Sequence, residues 1–395
     1  MAGPAVPTPP SGPAPWRNPR VRAVAFQVVA LVLVLWVFWT IFQNTLTNME
    51  SRGITTGFGF LDNTAGFGIL FSLIPYDETN TYGRTFVVGI LNTLLVSGLG
   101  ILFATIIGFI LGVARLSPNW LIAKMALVYI EITRNVPLLL QIFFWYFAVL
   151  RTLPGPRQSL EFPFSAFLNN RGLYAPSPNL EPAFWAVAIT FGLAIAGAVV
   201  LVRWAKRRQD ATGRRFPAWS VSLAAVVGLP LLVFWLAGSP LTWDLPALQG
   251  FNFRGGVRLI PEFIALWLAL TLYTAGFIGE IVRSGIQSVS KGQTEASQAL
   301  GLRPGQTLRL IVIPQAMRVI IPPLTSQYLN LTKNSSLATA IGYPDLVSVF
   351  MGTTLNQTGQ AVEIVAMTMA VYLTISLSIS FLMNLYNRAV ALKER

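Results

Sequence analysis

Seven stretches of this chain contain no Asp, Glu, Lys or Arg, and they limit the folds that the chain can adopt. A helix that crosses the ~30 Å hydrocarbon core of a bilayer needs ~20 predominantly apolar residues. Charged residues make up 11% of the 395 residues, whereas soluble proteins carry about 25%. The sequence therefore predicts an all-α polytopic membrane protein. The uncharged stretches are 23–49, 85–114, 135–150, 182–202, 216–243, 263–279 and 364–387.

A further span is predicted over 308–332, although two arginines and two prolines interrupt its apolar pattern. The first stretch, 23–49, is expected to be a retained span. It exceeds the ~7–15 apolar residues of a signal-peptide core, and no small-residue cleavage site follows it. We therefore expect about eight transmembrane helices. Residues 1–22 are rich in proline and are predicted to form a disordered cytoplasmic tail.

One predicted helix is too long for a straight crossing of the membrane. Residues 121–150 would span ~45 Å at 1.5 Å per residue, which exceeds the ~30 Å core. This helix must tilt strongly or break. The natural break is Asn135-Val136-Pro137, because proline disrupts the helical hydrogen-bond ladder.

The orientation follows from a basic loop between two predicted spans. Cytoplasmic loops of membrane proteins carry an excess of Lys and Arg, which also accounts for the net charge of +13. With eight alternating spans, both termini are predicted to be cytoplasmic. The loops 45–84, 151–181, 244–260 and 333–362 then lie outside. The basic residues of the loop are Arg203, Lys206, Arg207, Arg208, Arg214 and Arg215.

The chain contains no cysteine and no histidine. Disulfides, thiol nucleophiles and zinc sites built on these residues are therefore excluded. The usual general base of a serine hydrolase is also missing. A membrane enzyme would have to work with carboxylates, Lys, Ser or Tyr alone, and no convergent acidic motif is present. We predict no catalytic residues, no metal site and no nucleic-acid partner.

The segment 285–315 is predicted to be a structured cytoplasmic loop. Thr294 can cap a short helix with Glu295 in its first turn, where a carboxylate suits the helix dipole. Gly301 can end that helix in the left-handed conformation. A second helix can then run over 306–313 up to Pro314. Small side chains on the first helix would let a partner surface approach closely, so the loop is suited to docking. These small residues are Ala296, Ser297 and Ala299.

This segment resembles the cytoplasmic signature of the membrane subunits of bacterial ABC importers. That signature is Glu-Ala-Ala, three residues, Gly, nine residues, Ile, one residue, Leu-Pro. Two positions depart from it, Ser297 in place of Ala and Ile313 in place of Leu. The resemblance implies a type I importer permease core in which this loop is the coupling helix that sits in a cleft of the ATPase. The matching coupling residues are Glu295, Ala296, Ser297, Gly301, Ile311 and Pro314.

Three other stretches resemble the polar amino-acid branch of these permeases, and the permease domain is expected over 85–390. They are 129–146, 274–286 and 333–344. Residues 151–258 do not fit a five-span core and look like an insertion that adds two spans, while 23–49 is an extra N-terminal span. This elongated form is similar to permeases for glutamate, glutamine, aspartate and asparagine, or for general L-amino acids.

Two groups of polar residues are candidates for the substrate path. Glu131 and Arg134 lie one helical turn apart and can pair, beside a break at Asn135 that can offer backbone groups to an ion. The alternative is a structural salt bridge at a kink. Glu280 and Arg283 repeat this spacing, and there we favour a structural pair.

The second group lies where the seventh span ends. Lys and Asn donors suit the carboxylate of an amino acid, and hydroxyl or carbonyl acceptors suit its ammonium group. The alternative is a capped helix end in a polar loop. The members of this group are Asn330, Lys333, Asn334, Ser335 and Ser336.

The main hypothesis is a permease subunit that works with other chains in a bacterial inner membrane. No G-x-x-x-x-G-K-[ST] loop occurs in the sequence, so ATP is expected to be bound by a separate ATPase and no cofactor by this chain. The resemblance also implies a second permease subunit or a copy of this one, and a periplasmic amino-acid-binding protein. The alternatives are a secondary transporter, which would need intramembrane carboxylates for ion coupling, and a membrane enzyme.

Overall fold

The computed structural model describes residues 19–51 and 57–390, which form a mostly helical protein. Most of the predicted tail therefore lies outside the described residues. The helices are α1 (Pro19–Ser51), α2 (Tyr82–Ala114), α3 (Trp120–Asn135), α4 (Leu138–Phe143), α5 (Phe184–Thr212), α6 (Ala218–Leu236), α7 (Pro261–Gln287), α8 (Lys291–Ala299), α9 (Pro304–Thr307), α10 (Ile313–Asn334), α11 (Leu355–Thr358) and α12 (Ala361–Val390).

Several of these helices are extended or joined by turns of other helical types. The 3₁₀ segments are Gly59–Asp62, Pro156–Gln158 and Ser335–Ile341, and the π-helical segments are Phe144–Leu150, Leu308–Val312 and Val347–Thr354. Seven helices within the described residues are long and apolar enough to cross a membrane. An eighth span is reached if α3 and residues 138–150, which meet at 105°, count as one broken span. The expectation of about eight spans, and of a break between Asn135 and Pro137, is therefore confirmed.

The segment that separates α4 from α7 contains two spans and eight short strands. The strands are β1 (Leu160–Phe162), β2 (Ala166–Asn169), β3 (Gly172–Ala175), β4 (Ser177–Leu180), β5 (Leu241–Asp244), β6 (Ala247–Gln249), β7 (Asn252–Arg254) and β8 (Val257–Leu259). All pairings are antiparallel, in a β1-β2-β3-β8 sheet and in the pairs β4-β5 and β6-β7. We call residues 151–181 and 239–260 the β-subdomain.

The strands correct two expectations about this segment. The span predicted over 216–243 ends at Leu236, because Gly238, Ser239 and Pro240 break the helix before β5 begins. The stretches 151–181 and 244–260 were expected only as polar loops. They form strands because β3 pairs with β8 and β4 with β5, which are contacts between residues far apart in the sequence.

The core is built on α7, which packs between α2, α3, α4 and α10. Glycines let α2 approach α7 closely. A Cβ atom on Gly108 would lie 2.5 Å from the Cβ of Ile278, and one on Gly112 would lie 2.5 Å from the Cβ of Val282. Because 108 faces 278 and 112 faces 282, the two helices run parallel. By contrast, α1 exposes its apolar side chains along its length, as expected for a lipid-facing span.

The two ends of the helix bundle carry different structures. At one end, Phe71 stacks on Phe263 at 5.7 Å and contacts Tyr343 at 6.2 Å. The β-subdomain leads directly into α7 at this same end. Helices α5, α6 and α7 are about 44, 28 and 40 Å long at 1.5 Å per residue. Helix α7 therefore carries the α8–α9 loop to the opposite end.

Candidate functional site

The loop between α7 and α10 is built from two short helical arms. The first arm is α8, which begins at Lys291 after Ser290. The expected cap at Thr294 is wrong, because the helix begins three residues earlier and Thr294 lies inside it. Its carbonyl instead accepts a hydrogen bond from the Ser297 hydroxyl, at 2.7 Å.

The turn between the arms has the geometry predicted for Gly301. Its φ is +76°, in the left-handed region. The Gly301 N–H donates to the Gln298 carbonyl at 2.8 Å, and the Leu302 N–H donates to the Ser297 carbonyl at 3.1 Å. These two bonds form a Schellman motif, which satisfies carbonyls at the end of the helix and normally needs glycine at this position.

The two arms are tied together by a buried pair of hydroxyls. Ser297 is 1% exposed and Thr307 is 4% exposed, and their side-chain oxygens lie 2.9 Å apart. Ser297 was expected among the small residues that face a partner, and this is wrong. Its side chain points between the arms because it lies on the face of α8 that meets α9. The position that departs from the family signature therefore serves to close the loop.

We predict that this pair contributes about 1 kcal/mol to the stability of the loop, as an intramolecular hydrogen bond does. Ser297→Ala and Thr307→Val should each speed hydrogen exchange of the α8 backbone amides. The double variant should be little worse than either single variant, because each change removes the same interaction. Hydrogen exchange with mass spectrometry measures this, and Gln298→Ala on the exposed face of α8 is the control. Additive effects would contradict the pairing.

The second arm continues into the membrane without stopping at Pro314. The π-helical segment Leu308–Val312 follows α9, and Pro314 then lies in the first turn of α10. The expected helix end at Pro314 is therefore wrong. A proline is tolerated in the first turn of a helix, and the π-helical turn before it already alters the hydrogen-bond ladder. Ile311 is half-buried, whereas Pro314 is exposed.

One face of α8 is exposed. Glu295, Ala296 and Ala299 are exposed, and Leu300 is 80% exposed at the tip. An exposed leucine beside small residues forms an apolar surface that suits a partner protein. Sequence reasoning did not single out Leu300. Its position directly before the turn glycine was the available signal.

The break between α3 and α4 is closed by a side chain of its own. The Gln141 amide donates to the carbonyls of Thr133 and Val136 at 2.9 and 3.0 Å. Two backbone acceptors at the break, which were expected to be available to an ion, are therefore already used. A cavity of about 400 Å³ lies beside the break, with Tyr129, Trp145 and Leu272 among its lining residues.

The expected pairing of Glu131 with Arg134 is wrong. Glu131 accepts a hydrogen bond from the Asn135 amide at 3.1 Å. The Arg134 guanidinium lies over the ring of Phe277 on α7, 5.2 Å from its centre. Packing of α3 on α7 therefore gives the arginine an aromatic partner. By contrast, the predicted pair Glu280 and Arg283 is confirmed, with Nε of the arginine 3.0 Å from Oε2 of the glutamate.

The second candidate group lies on a helix rather than in a loop. α10 continues as the 3₁₀ segment Ser335–Ile341 and ends at Gly342. Lys333 and Asn330 are exposed one turn apart. Ser335 is buried and donates to the Thr332 carbonyl, and Ser336 donates to the Lys333 carbonyl, both at 2.7 Å. The structure therefore separates the group into one exposed face and two serines that bond their own backbone.

The two candidate groups are connected through helical segments that pack against each other. α4, which follows the break, packs against the 3₁₀ segment Ser335–Ile341. Both of these segments also pack on α7. Movement of α7 would therefore reach both candidate groups.

A buried carboxylate in the segment between α10 and α12 was missed. Asp345 is fully buried. Its Oδ1 accepts from the Ser348 N–H at 2.8 Å, and the Tyr372 hydroxyl lies 3.5 Å from its Oδ2. Burial raises the pKa of this carboxyl to about 7 from its ordinary value of 3.8, because a low-dielectric site disfavours the charged form.

We predict that Asp345→Asn stabilises the protein at high pH. The folded state holds the Asp345 proton more tightly than the unfolded state, so this group costs stability as the pH rises from about 4 to about 7. Asn keeps an oxygen acceptor for the Ser348 N–H and removes the charge. The variant should melt at a higher temperature than the wild type at pH 8. This difference in melting temperature should decrease as the pH falls towards 4.

Asp77→Asn is the control for this prediction. Asp77 is exposed, and hydrogen bonds from Thr79 and Asn80 lower its pKa. Its ionised form is therefore favoured in the folded state, so its removal should give no gain in melting temperature at pH 8. Equal melting temperatures of Asp345→Asn and the wild type across this pH range would contradict the assignment for Asp345.

Comparison with known proteins agrees with this architecture. Residues 104–392 match the family described as binding-protein-dependent transport system inner membrane component. The chain is 60% identical over 378 residues to the putative amino-acid ABC transporter permease protein YhdX of Escherichia coli (strain K12), with 96% of each chain covered. It is 53% identical to the general L-amino acid transport system permease protein AapQ of Rhizobium johnstonii, with 96% of this chain and 94% of that protein covered.

A third relative is the glutamate/glutamine/aspartate/asparagine transport system permease protein BztB of Rhodobacter capsulatus. The identity is 44% over 407 residues, with 95% of each chain covered. The chain therefore belongs to the family of inner membrane components of binding-protein-dependent transport systems. It is a permease subunit of an ABC transporter, and the alternatives of a secondary transporter and of a membrane enzyme are set aside.

Proposed function

We propose that this chain is a permease subunit through which polar L-amino acids, including glutamate, glutamine, aspartate and asparagine, are imported across a bacterial inner membrane. The relatives that cover almost the whole chain carry amino-acid permease names. The observation that carries the proposal is the two-armed loop at one end of the bundle, with its exposed face from Glu295 to Leu300. A second permease subunit, or a copy of this one, completes the path.

The loop lies on the cytoplasmic side. Six basic residues between 203 and 215 lie in and beside the α5–α6 turn. Two spans, α6 and α7, separate this turn from α8, so alternating spans put the turn and the α8–α9 loop on the same side of the membrane. The positive-inside rule assigns this side to the cytoplasm. Both termini are then cytoplasmic, and the β-subdomain faces outwards.

The loop transmits the movement of a separate ATPase. Glu295, Ala296 and Gly301 lie at or near its exposed tip, and Ser297 holds the arms together. Ile311 and Pro314 lie where the second arm continues directly into α10, so the arm and α10 form one continuous helix. A push on α8 therefore reaches the membrane part of α10 as a rigid displacement, and alternating tilts would open the path to either side.

The exposed face of α10 contributes to the amino-acid path. The Lys333 ammonium and the amides of Asn330 and Asn334 can donate hydrogen bonds to a carboxylate. Asn135 and Glu131, beside the α3–α4 break, offer a second polar group along the path. Ser335 and Ser336 support this face by bonding to the backbone beneath it.

Co-purification tests the partnership with an ATPase. The permease, extracted in detergent, should bring down an ATPase subunit in a defined ratio. Leu300→Glu should weaken this association, because it places a charge on the apolar tip. Gln306→Glu, on the second arm, makes the charge more negative by one unit and is the control. A wild-type permease that never brings down an ATPase would contradict the proposal.

A further inference from the structure

The β-subdomain is basic, although the proposed orientation places it outside. It contains five arginines against three acidic residues. Arginines are normally retained on the cytoplasmic side of membrane proteins. A cluster on an outer segment therefore points to a role at that surface. The arginines are Arg151, Arg157, Arg171, Arg254 and Arg258.

Two of these arginines line a cavity of about 270 Å³ on the surface of the β-subdomain. Its other lining residues are Gly155, Pro156, Gln158 and Phe251. The Arg157 guanidinium lies 5.0 Å from the centre of the Phe251 ring. Nη1 of Arg171 donates to the Phe251 carbonyl at 3.2 Å. Arg157 therefore packs on the side chain of Phe251, which is 77% exposed, while Arg171 contacts its backbone.

Further contacts fix the shape of this pocket. The Arg258 guanidinium donates two hydrogen bonds to the Arg171 carbonyl, at 3.2 and 3.1 Å. The Arg171 N–H donates to the Asn169 side chain at 2.8 Å. The backbone that carries Arg171 is therefore held from both sides. Preorganised donors lose less freedom when they bind a ligand.

The two arginines of the pocket have no acidic partner within the described part of the chain. There, neither Arg157 nor Arg171 lies within 4 Å of a carboxylate oxygen. Asp244, on β5 of the same subdomain, accepts from the Gly256 N–H at 2.8 Å instead. Arginine guanidinium groups bind carboxylates through paired hydrogen bonds. The pocket therefore has the size and chemistry to receive an acidic side chain.

We propose that the Arg157–Arg171 pocket is a docking site for an acidic side chain of the solute-binding protein. This inference rests on the proposed function, because it assumes the outward orientation of the β-subdomain. The family is described as binding-protein-dependent, so a protein must deliver substrate to this outer surface. Arginine and exposed aromatic residues are enriched at the centres of protein interfaces, and the pocket offers both.

Charge reversal in the pocket tests this proposal. The probe is the binding protein that supports uptake by the wild-type permease–ATPase complex in proteoliposomes. Arg157→Glu should raise the concentration of binding protein needed for half-maximal uptake at least tenfold, with little change in the maximal rate. Arg157→Lys should need less binding protein than Arg157→Glu but more than the wild type. Lysine keeps the positive charge but lacks the planar guanidinium group that forms paired hydrogen bonds.

Arg254→Glu is the matched control. It makes the same change of charge on β7 of the same subdomain, outside the pocket lining. Equal shifts for Arg157→Glu and Arg254→Glu would overturn the docking site and leave the proposed function intact. If the wild-type complex shows no binding-protein-dependent uptake at all, the proposed function itself fails.

Because the chain contains no cysteine, Arg157→Cys creates a single thiol whose labelling reports what covers the pocket. The loaded binding protein should slow labelling by a membrane-impermeant maleimide. Labelling that is slowed by anionic lipid in the nanodisc would overturn the proposal in favour of a headgroup site. Protection by free L-glutamate alone would overturn it in favour of a substrate site.

Discussion

Replacement of Gly301 by valine is expected to reduce ATP-dependent uptake at least tenfold while the protein still inserts in the membrane. The φ of Gly301 is +76°, and an added Cβ would meet no atom within 4 Å. The cost therefore comes from the backbone alone. A left-handed conformation costs an ordinary residue about 1–2 kcal/mol, and β-branching makes it worse. The loop would leave this turn, and the face from Glu295 to Leu300 would no longer be presented.

Two further variants separate a backbone effect from a general disturbance of the loop. Gly301→Asn should retain much of the activity, because asparagine tolerates the left-handed region. Gly305→Ala should behave like the wild type, since Gly305 has no positive φ and open space around it. Uptake and co-purification of the ATPase are measured for each. Equal activity of Gly301→Val and the wild type would show that the turn is not needed for coupling.

The second large effect is expected where α2 and α7 meet. A Cβ on Gly112 would lie 2.5 Å from the Cβ of Val282 and 2.8 Å from the Gly279 carbonyl oxygen. Gly108→Ala/Gly112→Ala must therefore push the two helices apart. Overpacking of this kind costs about 1–3 kcal/mol at each site. We expect a lower melting temperature and a smaller yield of monodisperse protein, seen by thermal unfolding and gel filtration in detergent.

Gly98→Ala provides the control on the same helix. Gly98 lies on an exposed face of α2, and an added Cβ would meet nothing within 4 Å. Alanine favours a helix by about 1 kcal/mol over glycine, so this variant should be as stable as the wild type or slightly more so. If the double variant at 108 and 112 melts at the wild-type temperature, the close α2–α7 packing is contradicted.

The features that could be predicted from the sequence depend on local physics. Long uncharged stretches gave the spans, because the thickness of a bilayer sets the length of a helix. Pro137 placed the break between α3 and α4. Gly301 placed the turn of the loop, since the left-handed conformation and its two hydrogen bonds involve neighbouring residues. The Glu280–Arg283 pair followed from helical spacing.

The features that could not be predicted depend on which distant residues meet. Ser297 turns inwards because α9 brings Thr307 to it. Arg134 contacts Phe277 because α3 packs on α7. The β3–β8 pairing joins residues that are separated by two spans. Asp345 becomes buried only when α2 and α12 pack around it.

Reconstituted uptake tests the central claim most directly. Proteoliposomes are prepared with the permease and its ATPase, and ATP is enclosed in the lumen, which corresponds to the cytoplasm. The binding protein and radiolabelled glutamate or glutamine are added outside. We predict accumulation that requires both ATP and the binding protein and that is lost in Gly301→Val. Accumulation by the permease alone, driven by an ion gradient without ATP, would contradict the account.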